Sequence, residues 1–191
     1  MPQKLRESDL LVVSRREEWR SWLQTHYKTE KVIWLVFYKK HTGEPRISYN
    51  DAVEEALCFG WIDSTVRSVD GDRYAQKFSV RNPKSTYSQA NIERLRTLVA
   101  QGQVVEAVQV TVGGLLEEEF VIPADILVAI QSNPLAWQNF QAFSPSYIRI
   151  RIAFIDGARN RPVEFTKRLD YFLRMTSLNK LFGFGGIEKY Y

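Results

Sequence analysis

Cys58 is the one cysteine in 191 residues. An intrachain disulfide is thereby excluded, and so is a cysteine-rich zinc site. Histidine is nearly as scarce, with only His26 and His41. Neither has a carboxylate at ligand spacing, so no metal and no cofactor is expected. Long apolar runs are missing as well. Nothing approaches the roughly 18 residues that a membrane-spanning helix needs. Within residues 1–14 the longest apolar run is Leu10 to Val13, too short for the core of a secretory leader, and a cytoplasmic protein is expected.

Basic residues are absent from one long stretch. Residues 104–143 hold five acidic side chains and no Lys or Arg. Residues 1–103 hold 17 basic and 13 acidic side chains, and residues 144–191 hold nine and four. Such segregation marks a face that receives anions or two parts that attract each other, within one chain or between two copies in a homodimer. With 45% hydrophobic and 25% charged residues the chain is neither disordered nor fibrous and needs no staple to build a core.

What is present reads as an α+β protein. The pattern Ser14-Arg15-Arg16-Glu17 predicts a capping box, followed by Trp19, Trp22, Leu23 and His26 at helical spacing. The β-prone run Val32 to Tyr38 predicts a buried central strand. Ser48 predicts the cap of a second helix, with Val53, Ala56 and Leu57 inward and Gly60 at its end. Residues 61–69 and 73–81 then flank Asp70-Gly71, a strong hairpin signal. With a two-residue loop, Asp63 faces Phe78, Thr65 faces Gln76 and Arg67 faces Tyr74.

A third helix follows Thr86 or Ser88. Residues 104–122, with a Gly113-Gly114 break, read as a connection. From Pro123 the pattern is helical, with Asn133-Pro134, Ser144-Pro145 and Arg161-Pro162 starting successive helices. The expected organisation is an α+β domain with an antiparallel sheet and packed helices over 1–103 and a connecting segment over 104–122. A helical carboxy-terminal lobe over 123–182 and a flexible tail over 183–191 complete it.

On the register above, Trp61, Asp63, Arg67, Tyr74 and Gln76 share one hairpin face. Aromatic walls with an Asp–Arg pair suit a small-molecule site, and suit an ordinary sheet face with an ion pair equally. The loop Arg81-Asn82-Pro83-Lys84-Ser85 leads into a helix start, where cations and backbone N–H groups can hold an anion. The ligand-binding candidates are therefore Trp61, Asp63, Arg67, Tyr74, Gln76, Arg81, Lys84 and Ser85. Cys58, flanked by apolar residues, reads as structural. The basic residues of the last two helices, from Arg149 to Arg174, read partly as a basic surface and partly as partners of Asp156, Glu164 and Asp170.

Several of these passages resemble the YdeI/OmpD-associated (bacteriocin-protection) family. They are Val32 to Lys40, Ala52 to Ser64, Arg81 to Ser85, Asn91 to Arg94, Pro123 to Asp125 and Phe143 to Tyr147. The resemblance implies an α+β amino-terminal domain, a helical carboxy-terminal segment, and a role in tolerance of bacteriocins or cationic antimicrobial peptides. It implies no reaction and no catalytic residues. The leading expectation is a non-enzymatic binding or stress-protection protein taking a small anionic ligand or a protein partner. Two alternatives stand beside it: an enzyme on an anionic substrate, with Asp63 as acid or base and Arg67 or Lys84 holding charge, and a single-stranded nucleic-acid binder.

Overall fold

The structure is a computed structural model that describes residues 6–183 and 186–191. The chain divides into two compact units. The first comprises residues up to Thr86 together with Thr97–Gly113, and the second Tyr87–Arg96 together with Gly114–Tyr191. Among the described residues no helix is long and apolar enough to cross a membrane.

The first unit is built from β1 (Leu10–Val12), α1 (Arg16–His26), β2 (Val32–Tyr38), α2 (Tyr49–Cys58), β3 (Trp61–Ser68) and β4 (Arg73–Val80). Its sheet has the order β1-β2-β4-β3. β2–β4 and β4–β3 are antiparallel, but β1 pairs parallel with β2. The α+β class holds, and the sheet is mixed rather than antiparallel. The reason is Leu10–Val12, too short to read as a strand alone, which pairs with the otherwise open side of β2. Flanked on both sides, β2 buries Leu35, Val36 and Phe37 in succession.

Helix α1 starts one residue later than the Ser14–Glu17 pattern predicts. Glu18, not Glu17, reaches back to accept from the backbone N of Ser14 (2.9 Å) and Arg15 (3.4 Å) and from Arg15 Nε (2.8 Å). These bonds, Ser14's first, hold its carboxyl down at about 2. Trp19 and Leu23 are fully buried. The Trp19 ring lies 5.4 Å from Phe78 of β4, and its Nε1 donates to Ala52 O of α2 (3.0 Å). α2 is capped by Ser48, whose Oγ accepts from Asp51 N (3.0 Å). It ends at Gly60, whose φ of +73° is open to glycine at little cost. A Cβ there would also lie 3.1 Å from Val108 Cγ2.

α2 buries more than the expected inner face. Every residue from Ala52 to Cys58 is buried, including Glu54 (1% exposed) and Glu55 (2%). Two buried carboxylates demand cations, and α1 provides them. Arg16 Nη1 donates to Asp51 Oδ1 and Glu54 Oε2 (2.9 Å each), and Arg16 Nε to Glu55 Oε1 (2.5 Å). Arg20 Nη1 donates to Glu55 Oε2 (2.6 Å), and Arg20 Nη2 to Gln103 O (2.9 Å). Glu55→Ala removes the carboxylate that both guanidiniums share, leaving Arg16 with Asp51 and Glu54 and Arg20 with Gln103 O, so a loss of about 3 kcal/mol is expected in chemical denaturation. Glu17→Ala, on the same helix and exposed, is expected to stay within about 0.5 kcal/mol of the parent.

The helices after the hairpin are α3 (Gln89–Ala100), α4 (Glu106–Glu117), α5 (Ala124–Gln131), α6 (Pro134–Phe140), α7 (Pro145–Asp156) and α8 (Pro162–Ser177). Most of the stretch read as a connection is thus the 12-residue helix α4, with Gly113 and Gly114 inside it. In the second unit, proline occupies the first turn of α6, α7 and α8, as its fixed φ favours. Asn133 accepts from Ala136 N and Ser144 from Tyr147 N, capping α6 and α7. Ile126, Ile130, Phe140, Tyr147, Ile152, Ile155 and Phe172 form the core. Of the expected flexible tail, Phe184 and Gly185 lie outside the described residues. Elsewhere in it, Ile187 and Tyr190 are buried against Ile150, and the Tyr191 ring lies so close to Gly183 that any Cβ there would collide with it.

This unit too has a buried acid. Glu93 (4% exposed) accepts both Arg149 Nε and Nη2 at 2.7 Å, Arg96 Nη1 at 2.8 Å and Gln89 Nε2 at 2.7 Å. Burial alone would raise its pKa, but the Arg149 and Gln89 hydrogen bonds and the charges of Arg149 and Arg96 outweigh it and hold the carboxyl below its ordinary value. A depressed carboxyl stabilises the fold above its unfolded pKa, and the contribution fades as pH falls through the folded one. Glu93→Gln should therefore cost about 2 kcal/mol at neutral pH. The gap to the parent should close as thermal unfolding is followed down through and below the usual carboxylate range.

Candidate functional site

The hairpin departs from its predicted register at both ends of one segment. Val69 N and Asp70 N both donate to Arg73 O (3.0 and 3.2 Å), so the loop is Asp70-Gly71-Asp72 rather than two residues. Asp70 organises it, accepting from Asp72 N (2.9 Å), Arg73 N (2.7 Å) and Arg73 Nε (2.8 Å). Near the loop the pairs are Ser68 with Tyr74, Arg67 with Ala75 and Val66 with Gln76. A β-bulge at Ser64 and Thr65 then restores the expected pairs, Asp63 with Phe78 and Trp61 with Val80.

Since side chains alternate between faces, the one-residue slip sends Arg67 to the face opposite Asp63. Arg67 there lies over the Trp34 ring, 5.1 Å from its centroid. The expected Asp63–Arg67 pair is therefore split. Asp63 and Gln76 do meet, with Gln76 Nε2 donating to Asp63 Oδ2 (3.1 Å) and to Ser64 O (3.2 Å). Sequence reasoning missed the third member: Tyr49 Oη donates to Asp63 Oδ2 at 2.6 Å. Tyr49 remains 47% exposed, Asp63 is half-buried and Gln76 is buried, so the trio runs from the surface inward.

The other predicted residues are engaged elsewhere. Trp61 is fully buried, edge-on to Trp22 at 5.8 Å, with its Nε1 donating to Tyr27 O (3.3 Å). Tyr74 stacks on Phe37 at 5.3 Å. Arg81 Nη2 donates to Ser85 O (2.8 Å) and to Thr86 O, which folds the loop on itself. Lys84 N and Ser85 N donate to Asn82, and the Lys84 and Ser85 side chains are exposed.

A cleft of about 290 Å³ opens beside the arginine–glutamate network, lined by Arg16, Glu17, Arg20, Glu55, Gly102 and Gln103. Its guanidiniums already bind carboxylates, which suits a structural joint. Cys58, next to it and fully buried, is pushed up to about 11, by burial first and by the Glu55 charge second. It is held as the thiol at neutral pH, the inert form. Among the described residues no cluster of three or more His, Cys, Asp or Glu is arranged to hold a metal ion.

The second unit holds a more concave feature. A cavity of about 390 Å³ lies between α7, α8 and Phe182. Phe154, Ile155, Tyr171 and Phe182 line it, with Arg151, Lys167, Arg168 and Arg174 and the acids Glu164 and Asp170. Arg151 is 3% exposed and its guanidinium lies 5.4 to 5.8 Å from the Phe154, Phe182 and Tyr191 rings. Arg168 lies 3.8 Å over the Phe154 ring, with its Nη1 on Phe154 O and its Nε on Glu164. One signal in the sequence marked this place: Arg151 stands on the apolar stripe of its helix, four residues from Tyr147 and four from Ile155. The other basic residues are dispersed. Arg159 pairs with Asp125 and Asp156, and Arg149 with Glu93.

The corrected register sets an outcome for double-mutant cycles in thermal unfolding. Asp63 and Gln76 should couple by about 0.5–1 kcal/mol. Asp63 and Arg67, on opposite faces, should add to within about 0.3–0.5 kcal/mol. A coupling between Asp63 and Arg67 as large as the first would contradict the bulge.

No curated protein and no solved structure matches the chain. Two family models do. The one described as Domain of unknown function (DUF8412) matches residues 11–111, and the one described as Bacteriocin-protection, YdeI or OmpD-Associated matches residues 119–179. The matches meet near the Gly113–Gly114 boundary of the two units, although Tyr87–Arg96 folds with the second. The passages from Val32 to Arg94 that suggested the second family thus fall in the first match, and those from Pro123 to Tyr147 fall in the second. The chain belongs to the DUF8412 family through its sheet-containing part, and its helical part matches the family of YdeI or OmpD-associated proteins over residues 119–179.

Proposed function

We propose that the chain is a small-molecule-binding protein whose recognition site is the cavity of the helical unit. The protective role named in the family description would then be exerted by binding, without turnover. The observation that carries this reading is the cavity itself: about 390 Å³, with aromatic walls and a buried guanidinium in its lining. Its size is that of ligand sites, and its aromatic wall stands beside six charged side chains, two of which, Arg168 and Glu164, pair with each other. In the hairpin trio Tyr49 and Gln76 both donate to the same oxygen of Asp63, so its members engage one another, and it supports the enzymatic alternative less.

The test is thermal stability across a panel of small organic compounds, with Tyr171→Ala and Asp63→Ala variants alongside the parent. A ligand at about 100 times its dissociation constant adds about 2.7 kcal/mol. Stabilisation by one compound, lost in Tyr171→Ala and kept in Asp63→Ala, is expected. Loss in Asp63→Ala with survival in Tyr171→Ala would move the site to the hairpin.

A further inference from the structure

Resting on that reading of the cavity, we infer that its ligand is a planar aromatic carboxylate. Two features of the lining select that chemistry together. The first is the set of ring surfaces. Tyr171 and Phe182 meet edge to face, with centroids 4.8 Å apart and planes at 87°. Such a corner presents a ring face on one side and a ring edge on the other. A third aromatic ring packs against both in its preferred geometries. An aliphatic ligand gains area there but none of the ring–ring preference.

The second is charge. The lining holds four basic side chains and two acidic ones. Arg168 and Glu164 neutralise each other at 2.8 Å. Arg168 is further immobilised on the Phe154 ring and carbonyl, so it forms a wall and not a free donor. Lys167 and Arg174 remain at the exposed rim, on the same stripe of α8 as Tyr171. Arg174 already lies over the Tyr171 ring, 5.0 Å from its centroid. Asp170 shares that stripe and opposes an anion, but it is outnumbered by Lys167 and Arg174. A carboxylate attached to a flat ring matches this order: the ring goes into the Tyr171–Phe182 corner and the charge meets the rim. Guanidinium also offers the paired donors that a carboxylate accepts.

Calorimetric titration of the full chain with 1-naphthoate decides the matter, with 1-naphthamide, cyclohexanecarboxylate and 1-naphthyl phosphate as comparison ligands. 1-Naphthoate is expected to bind, and the neutral amide and the aliphatic acid about tenfold or more weaker. Arg174→Ala should weaken naphthoate about tenfold and leave the amide unchanged, while Arg161→Ala, outside the cavity, should change neither. Amide binding as tight as the acid, in a Tyr171-dependent way, would overturn the ligand class and leave the cavity reading standing. Naphthyl phosphate binding about tenfold tighter than naphthoate would overturn the carboxylate in favour of a phosphate ester. Equal losses in Arg174→Ala and Arg161→Ala would reduce the effect to overall charge and overturn the class. Absence of binding by all four compounds, with other molecules stabilising the parent in a Tyr171-dependent way, would overturn the class alone. Absence of any ligand response would overturn both.

Discussion

The first unit depends on one electrostatic constraint: two glutamates of α2 are buried and α1 must bring arginines to them. Glu54 and Glu55 lie in a run, Ala52 to Cys58, that is otherwise apolar and buried at every position. Taking such charges out of water costs several kcal/mol each unless donors replace the lost hydration. Arg16 and Arg20 stand one turn apart on α1, so a single helix orientation serves both. The same orientation lays Trp19 on Phe78 and its indole N–H on Ala52 O. Hydrophobic burial provides most of the driving force. The ion network adds direction, since it fixes the rotation of α1 where a greasy contact would tolerate sliding.

The second unit repeats the device with a single acid. Glu93 gathers Arg149, Arg96 and Gln89, and Arg96 also donates to Leu116 O. Arginine is the better residue for this work than lysine, because its planar fork engages two oxygens at once and tolerates partial burial. Arg151 shows the other use of the same group. Placed among rings, its guanidinium is stabilised by their faces and keeps positive charge within a cavity. One helix, α7, therefore carries both an arginine that pairs with a buried acid and one that lines the cavity, two residues apart.

Much of this architecture could be read from local signals. The β2 run, the Ser48 cap, Gly60, and the three proline starts of α6, α7 and α8 are short-range features, and each was placed correctly for the physical reason assigned to it. The errors arose where a distant partner decides. β1 is three residues long and exists because β2 offers an edge. The cap of α1 slid by a residue because Glu18 reaches Ser14 and Arg15 together. The hairpin register turned on a three-residue loop and a bulge, neither of which Asp70-Gly71 alone specifies. That slip separated Arg67 from Asp63, while Tyr49, fourteen residues before Asp63, reaches it from helix α2. The cavity on α7 and α8 was illegible as a cavity, although Arg151 on an apolar stripe was an anomaly open to notice.

The bulge at Ser64 and Thr65 has a consequence for how the molecule behaves in company. β3 is an outer strand of the sheet, eight residues long, and Val66 on it is 57% exposed. A flat strand of that kind is a template on which another chain can extend the sheet. The bulge interrupts the repeat of N–H and C=O groups midway and twists the strand, so the edge offers no continuous eight-residue run. At the opposite edge β1 is protected by brevity alone. Deleting one bulge residue would give the sheet an uninterrupted margin, the kind of edge on which a second chain can extend the ladder.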